Sequence, residues 1–186
     1  MMNYSNYMNS RDLAWQVLLN EHVTELPVNV VQLCRGMGIR VKLFDGDGDG
    51  YSTILFGRPR IFVSRSCSPE RQRFTIAHEL GHILMGHVGK HELMNREPSS
   101  RDNPIEQAAN VFASRLLAPA CVLWALDART PEQIAALCRI SRQAAGYRAE
   151  RMAILYERGK FLISPIERQV YEQFADFIRR KKEGRL

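Results

Sequence analysis

The sequence predicts an α+β fold that is mostly helical, with a small β-sheet and a helical C-terminal extension. Three observations carry this expectation. Short apolar stretches that alternate cluster between Ile39 and Ser64, just ahead of one strongly apolar segment. Apolar residues at helical spacing, preceded by polar caps, recur from Arg11 to the far end of the chain. The 186 residues, 45% hydrophobic and 25% charged, suffice for one core or for one core with a small satellite domain.

Residues 11–22 read as a first helix, with Leu13, Val17 and Leu18 on one side and Ser10 or Asp12 at the cap. Leu26-Pro27 breaks it. Val30, Val31, Leu33 and Cys34 mark a second helix, ended by Gly36 and Gly38. Residues 39–44 alternate as a strand. Residues 51–56 and 60–64 read as two more, joined around Gly57-Arg58-Pro59 in a hairpin-type connection. Between them, Asp45, Asp47, Asp49 and Gly50 imitate the start of a calcium loop. Such a loop closes on a bidentate glutamate, where this chain has Phe56, so an acidic turn is the stronger reading.

The next helix starts well: Ser68 as cap, Pro69 at the first helical position and Glu70 in the first turn. It contains His78-Glu79-Leu80-Gly81-His82, the His-Glu-x-x-His pattern of zinc hydrolases. Positions i and i+4 share a helix face, so His78 and His82 can turn a ring nitrogen to one ion, with Glu79 beside them to hold a water. From Phe74 to Gly86 the polar side chains are Thr75, His78, Glu79 and His82, and almost all the rest is apolar or glycine. A helix this apolar is buried, and buried imidazole or carboxylate groups cost several kcal/mol unless paired or bound to metal. Satisfied core histidines are the bland alternative; metal binding accounts for all three residues at once. His87 and His91 follow. The longer zinc-protease pattern needs glycine and histidine where Met85 and Val88 stand, so that class is excluded. His87 reads first as a helix-end histidine near a C-terminal dipole, and only weakly as a group assisting the reaction.

Residues 92–103 read as a polar loop. Asn103-Pro104 opens a helix to Leu117, in which Glu106 and Asn110 lie one turn apart on one face. Catalytic zinc takes three protein ligands, and two histidines leave a vacancy. Glu106, 24 residues after His82, is a candidate for it, against the reading of an exposed first-turn glutamate. Glu92, Glu97 and Asp102 are rivals in the looser segment.

Thr130-Pro131-Glu132 caps a further helix, and 130–151 has a helix-turn-helix-like pattern with Arg139 where glycine is usual in the turn. Arg142, Arg148 and Arg151 are candidates to meet phosphates. A helical pair packed on the core is the stronger reading. Pro165 onward forms a last helix with Ile166, Val170, Phe174, Phe177 and Ile178 on its apolar side. The net charge of +6 suits an anionic partner but is modest, and a basic tail from Arg179 to Arg185 accounts for part of it. Cys34, Cys67, Cys121 and Cys138 are scattered, as expected of reduced and mostly core thiols rather than a disulfide frame. No run approaches the roughly 20 apolar residues of a membrane span, and the first residues lack the basic and apolar regions of a secretory signal. The expectation is a cytoplasmic protein with no membrane partner.

Three stretches then agree in order and spacing with one family. They are Arg73-Phe74-Thr75-Ile76-Ala77-His78-Glu79-Leu80-Gly81-His82, then Glu106-x-x-Ala109-Asn110, then Phe112-Ala113-x-x-Leu116-Leu117-Ala118-Pro119. Over roughly residues 28–155 the chain resembles the ImmA/IrrE family of zinc metallopeptidases. Ala118 departs from it, since members often carry methionine there, a change that touches packing rather than chemistry. The resemblance implies a zincin-like fold, and together with the helical reading of the last third the expected division is a metallopeptidase domain over 1–129 with a helical segment, 130–186, packed on it. It implies Zn2+ held by His78, His82 and Glu106, with Glu79 as general base. The implied partner is a protein substrate, a helix-turn-helix repressor of a prophage, mobile element or stress regulon, cut to relieve repression. The alternatives are a zinc-containing DNA-binding regulator and a partner-binding module, such as a toxin–antitoxin component, that grips without cutting. The group that stabilises the oxyanion is not legible.

Overall fold

The computed structural model describes residues 4–88 and 103–184. Helices α1 (Tyr4–Asn20) and α2 (Val30–Gly36) precede strands β1 (Arg40–Phe44), β2 (Gly50–Leu55) and β3 (Arg58–Ser64). Then come α3 (Pro69–Leu84), α4 (Pro104–Leu117), α5 (Ala120–Ala125), α6 (Pro131–Cys138), α7 (Arg142–Glu157), α8 (Pro165–Gln173) and α9 (Ala175–Lys182). The fold is therefore α+β, mostly helical with one three-stranded sheet. The described residues fall into two compact units, one of 1–11 with 29–113 and the other of 12–28 with 114–186. The boundary between the two lies inside α4.

The first unit holds the sheet, in the order β1-β3-β2. β3 pairs parallel to β1 and antiparallel to β2, so β2 is an edge. Leu55 pairs with Arg58, which leaves a two-residue turn at Phe56-Gly57. Both turn residues have positive φ, the geometry that matches the twist of a tight hairpin. One face of β3 carries Ile61 and Val63, fully buried. Helix α3 packs against this strand, and its Ile76, Ala77 and Leu80 are buried. Alternation in β3 thus meets helical periodicity in α3, and that contact forms the core beneath the candidate site.

The second unit is helical. Trp15, Leu18, Ile134, Met152, Val170, Phe174 and Phe177 are buried in it. The Gln173 amide donates to the carbonyls of Leu18 and Val23, both at 2.7 Å, and ties α8 to the end of α1. Cys121 and Cys138 are buried here and Cys34 in the first unit; Cys67 is half-buried, and all four are free thiols. Burial pushes the thiols of Cys34 and Cys121 up to about 12, so both stay protonated.

The structure departs from the sequence expectation at several elements. α1 begins at Tyr4 rather than near Arg11. α5 was not expected, because its six residues are too few to show a period. The single last helix is two, broken at Phe174, whose backbone caps both. The expectation that no run approaches a membrane span also needs correction. Pro104–Ala125 is long and apolar enough by length and composition. It is two helices interrupted at Ala118-Pro119, and 72% of that window is buried in the protein, the behaviour of core helices.

Candidate metal centre

α3 starts at a capped first turn. The Ser68 hydroxyl accepts from the Arg71 N–H at 3.3 Å, Pro69 needs no partner for an N–H it lacks, and Glu70 faces the helix dipole. Thr75, Ile76, Ala77, Leu80, Gly81 and His82 are buried along it. α4 is opened by Asn103, whose Oδ1 accepts from the Ile105 N–H at 3.0 Å. The two helices cross closely at Gly81. A Cβ there would lie 2.9 Å from the Phe112 ring, so glycine lets the ring of α4 seat directly on the backbone of α3. That approach brings the first turn of α4, with Glu106, to the last turns of α3.

Three donor atoms converge there. His78 Nε2 and His82 Nε2 are 3.0 Å apart. Glu106 Oε2 is 3.2 Å from His78 Nε2, and Glu106 Oε1 is 3.3 Å from His82 Nε2. The side chains are only 15%, 11% and 26% exposed for His78, His82 and Glu106, so water does little to screen them. Among the described residues, this is the group of three or more His, Cys, Asp or Glu that comes together tightly enough to hold a metal ion.

The outer nitrogens of both rings are engaged as well. His78 Nδ1 faces Asn110 Oδ1 at 3.0 Å. The amide oxygen only accepts, so Nδ1 carries the proton and Nε2 keeps a lone pair for the centre. His82 Nδ1 faces His87 Nδ1 at 3.1 Å, so the second ring also has a partner at its outer nitrogen. Glu79 points its Oε2 to Ser52, whose hydroxyl donates at 2.6 Å. Hydrogen bonds from His78 and His82 hold the Glu106 carboxyl far below the usual carboxylate range, with burial opposing. Glu106 is therefore an anion at any ordinary pH.

Two ring nitrogens and a carboxylate thus crowd one spot, and each Nε2 needs either a proton shared with Glu106 or a cation to meet it. Ligand atoms about 2.0–2.1 Å from a tetrahedral zinc sit roughly 3.3–3.4 Å from one another. The observed spacings of 3.0, 3.2 and 3.3 Å suit such an ion with little movement. Two imidazoles and one carboxylate are also the donor set of catalytic sites that keep a fourth position open.

Comparison with known proteins agrees with this geometry. The model of the peptidase family described as the IrrE N-terminal-like domain matches residues 33–150, well over half of the chain. The chain belongs to the IrrE N-terminal-like peptidase family. It is 33% identical over 103 residues to the radiation response metalloprotease IrrE of Deinococcus deserti, a match covering 53% of this chain and 36% of that protein. It is 32% identical over 89 residues to the protein of the same name from Deinococcus radiodurans, covering 45% of this chain and 26% of that one. The chain thus spans about a quarter to about a third of the length of these IrrE relatives. The IrrE-like match includes α3, α4, the whole sheet and most of α7.

Within this IrrE-like region the structure brings His78, His82 and Glu106 together and sets Glu79 against Ser52. The rivals for the third ligand, Glu92, Glu97 and Asp102, lie outside the described residues, as does His91. His87 is a partner of the His82 ring rather than only a helix-end residue. Asn110 was legible as a residue on Glu106's face, but not as the partner of His78. Ser52 was missed. Its only signal is parity: it falls between Gly50 and Ile54 on the strand face turned to α3, where a hydroxyl is out of place. In the 45–50 turn, two of the three aspartates of the calcium reading are paired with arginines. Arg65 Nε donates to Asp45 at 3.1 Å, and Arg71 Nε donates to Asp49 at 2.9 Å. That hydrogen bond holds the Asp49 carboxyl below its ordinary value.

The 130–151 segment holds two helices joined by a short turn. α6 and α7 are joined through Arg139, which takes the left-handed conformation that the missing glycine would have taken freely. Its proposed phosphate contacts fare less well. Arg148 is 1% exposed and its Nε donates to the Ala118 carbonyl at 2.8 Å. Arg142 is paired with Glu132. A buried guanidinium cannot reach a phosphate, so Arg148 is a structural residue of the second unit.

Proposed function

We propose that this protein is a zinc-dependent endopeptidase with a zincin-like catalytic domain, acting in the cytoplasm on a partner protein. The proposed partner is a helix-turn-helix transcriptional repressor whose cleavage relieves repression. The observation that carries the reading is the triangle of His78, His82 and Glu106 with Glu79 next in sequence to one of its corners. The identity of the substrate rests on the family resemblance; the Deinococcus relatives carry the name metalloprotease and span much more chain.

In this reading His78 and His82 offer Nε2 and Glu106 a carboxylate oxygen, while Asn110 and His87 fix the two rings. Zinc held there supplies Lewis acidity, polarising a scissile carbonyl and bringing the pKa of water to about 7. Glu79 takes a proton from the attacking water and delivers it to the leaving nitrogen, so the same carboxyl acts as base and then as acid. Its Oε2 is held by Ser52, which leaves Oε1 as the oxygen to carry that proton.

The test is the intact mass of the repressor encoded beside this gene, after co-expression with wild type or with Glu79→Gln. Discrete fragments with wild type alone support the peptidase and locate the bond. An intact repressor in both cases, with zinc present in the protein, counts against proteolysis of that partner. A Glu79→Gln variant that cuts as fast as wild type removes Glu79 from the mechanism.

A further inference from the structure

The edge strand β2 runs along α3 in step with it. On the strand face turned to the helix, Gly50 and Ser52 are two residues apart, about 6.7 Å along an extended chain. On the helix, Thr75 and Glu79 are four apart, about 6 Å along its axis. The two repeats match, and both contacts exist. A Cβ on Gly50 would lie 2.6 Å from Thr75 Cγ2 and 2.5 Å from the Phe62 carbonyl oxygen. Ser52 Oγ lies 2.6 Å from Glu79 Oε2. Gly50 therefore allows the close approach, and Ser52 uses it. The backbone of Ser52 is fixed in turn, because it pairs with Ile61, which is fully buried.

We infer that Ser52 is a positioning residue for Glu79: its hydroxyl donates to one carboxylate oxygen and locks the rotamer that presents the other to the reacting water. This rests on the proposed role of Glu79 as general base. A glutamate on a helix has three rotatable bonds, and half-burial alone leaves several of its rotamers open. A short hydroxyl–carboxylate bond selects one of them, and such charge-assisted bonds are about twice as strong as neutral ones. Among the described residues the bond partner of the Ser52 hydroxyl is Glu79 Oε2. The hydroxyl is explained by what it holds.

The experiment compares wild type with Ser52→Ala, Ser52→Thr and Gly50→Ala. Zinc-loaded crystals of each report the Glu79 side chain directly, and cleavage of the co-expressed repressor reports the reaction. Ser52→Ala is expected to bind zinc as wild type does, with Glu79 spread over more than one rotamer. Its kcat should fall about 10- to 100-fold with KM little changed, the scale at which a supporting contact or a small misplacement acts. Ser52→Thr, which keeps the hydroxyl, should restore a single rotamer and most of kcat. Gly50→Ala should displace β2 and loosen Glu79 without altering either partner of the bond. A single, unchanged Glu79 rotamer in Ser52→Ala overturns the inference, whatever the activity. Loosened Glu79 in Ser52→Ala, together with a wild type that cuts nothing, leaves the positioning role standing and counts against the peptidase reading instead.

Discussion

Asn110 is exposed, yet its Oδ1 sits 3.0 Å from His78 Nδ1. An exposed side chain adds little to folding, so this contact matters for what it does to the ring. It fixes the tautomer and the tilt that put a lone pair on Nε2. Asn110→Ala should leave the melting temperature of metal-free protein within about 1–2 °C of wild type, since surface substitutions change stability by under about 0.5 kcal/mol. Zinc affinity, measured by competition with a chelating dye, should drop about 10- to 100-fold. Equal affinities in the two proteins would make the contact incidental. At this scale the sequence was legible where chemistry has a fixed spacing. His78 and His82 are an i, i+4 pair, and that pair names its own partner. Glu106 was legible only as a candidate, because its distance in sequence says nothing about which helices touch. Ser52 meets the site through folding alone, and His87, five residues after His82, was legible only as a weak candidate to assist there.

At the scale of elements, helices were easier to read than the sheet. The capping hydroxyls of Ser68, Thr130, Ser141 and Ser164 all accept from a backbone N–H in the first turn, and each is a local signal. The sheet order is not local. Adjacent β1 and β2 do not pair; β3 lies between them, parallel to one and antiparallel to the other. That depends on which apolar face α3 covers, and alternation within each strand does not encode it. The decisive contact between elements is Gly81 against Phe112. Gly81→Ala would gain about 1 kcal/mol of helix propensity if nothing opposed it. The added methyl would instead lie 2.9 Å from a ring that is fully buried. Overpacking of this kind costs about 1–3 kcal/mol. Urea unfolding should therefore show a net loss, near 1 kcal/mol, and weaker zinc binding as α4 is pushed outward. A more stable variant would show that the Phe112 ring yields and that Gly81 does not set the spacing.

For the molecule as a whole, an ion at this centre is a cross-link between α3 and α4, whose ligands lie 24 residues apart in sequence. The unfolded chain holds no such preformed triangle, so binding energy becomes folding energy. When free zinc exceeds its dissociation constant about a thousandfold, the native state gains about 4 kcal/mol. For a chain of this size one kcal/mol moves the midpoint by about 2–4 °C, so removing zinc with a chelator should lower it by roughly 8–16 °C. The two variants separate folding from chemistry. Glu79→Gln should keep the full shift, because Glu79 is proposed to handle protons and not to bind the ion. Glu106→Ala should lose most of it, because the remaining two imidazoles form an incomplete ligand set. A chelator-insensitive midpoint, in protein shown to contain zinc beforehand, would place the ion outside the folded framework and remove α3 and α4 as its clamp. A full shift in Glu106→Ala would return the third ligand to residues 92–102.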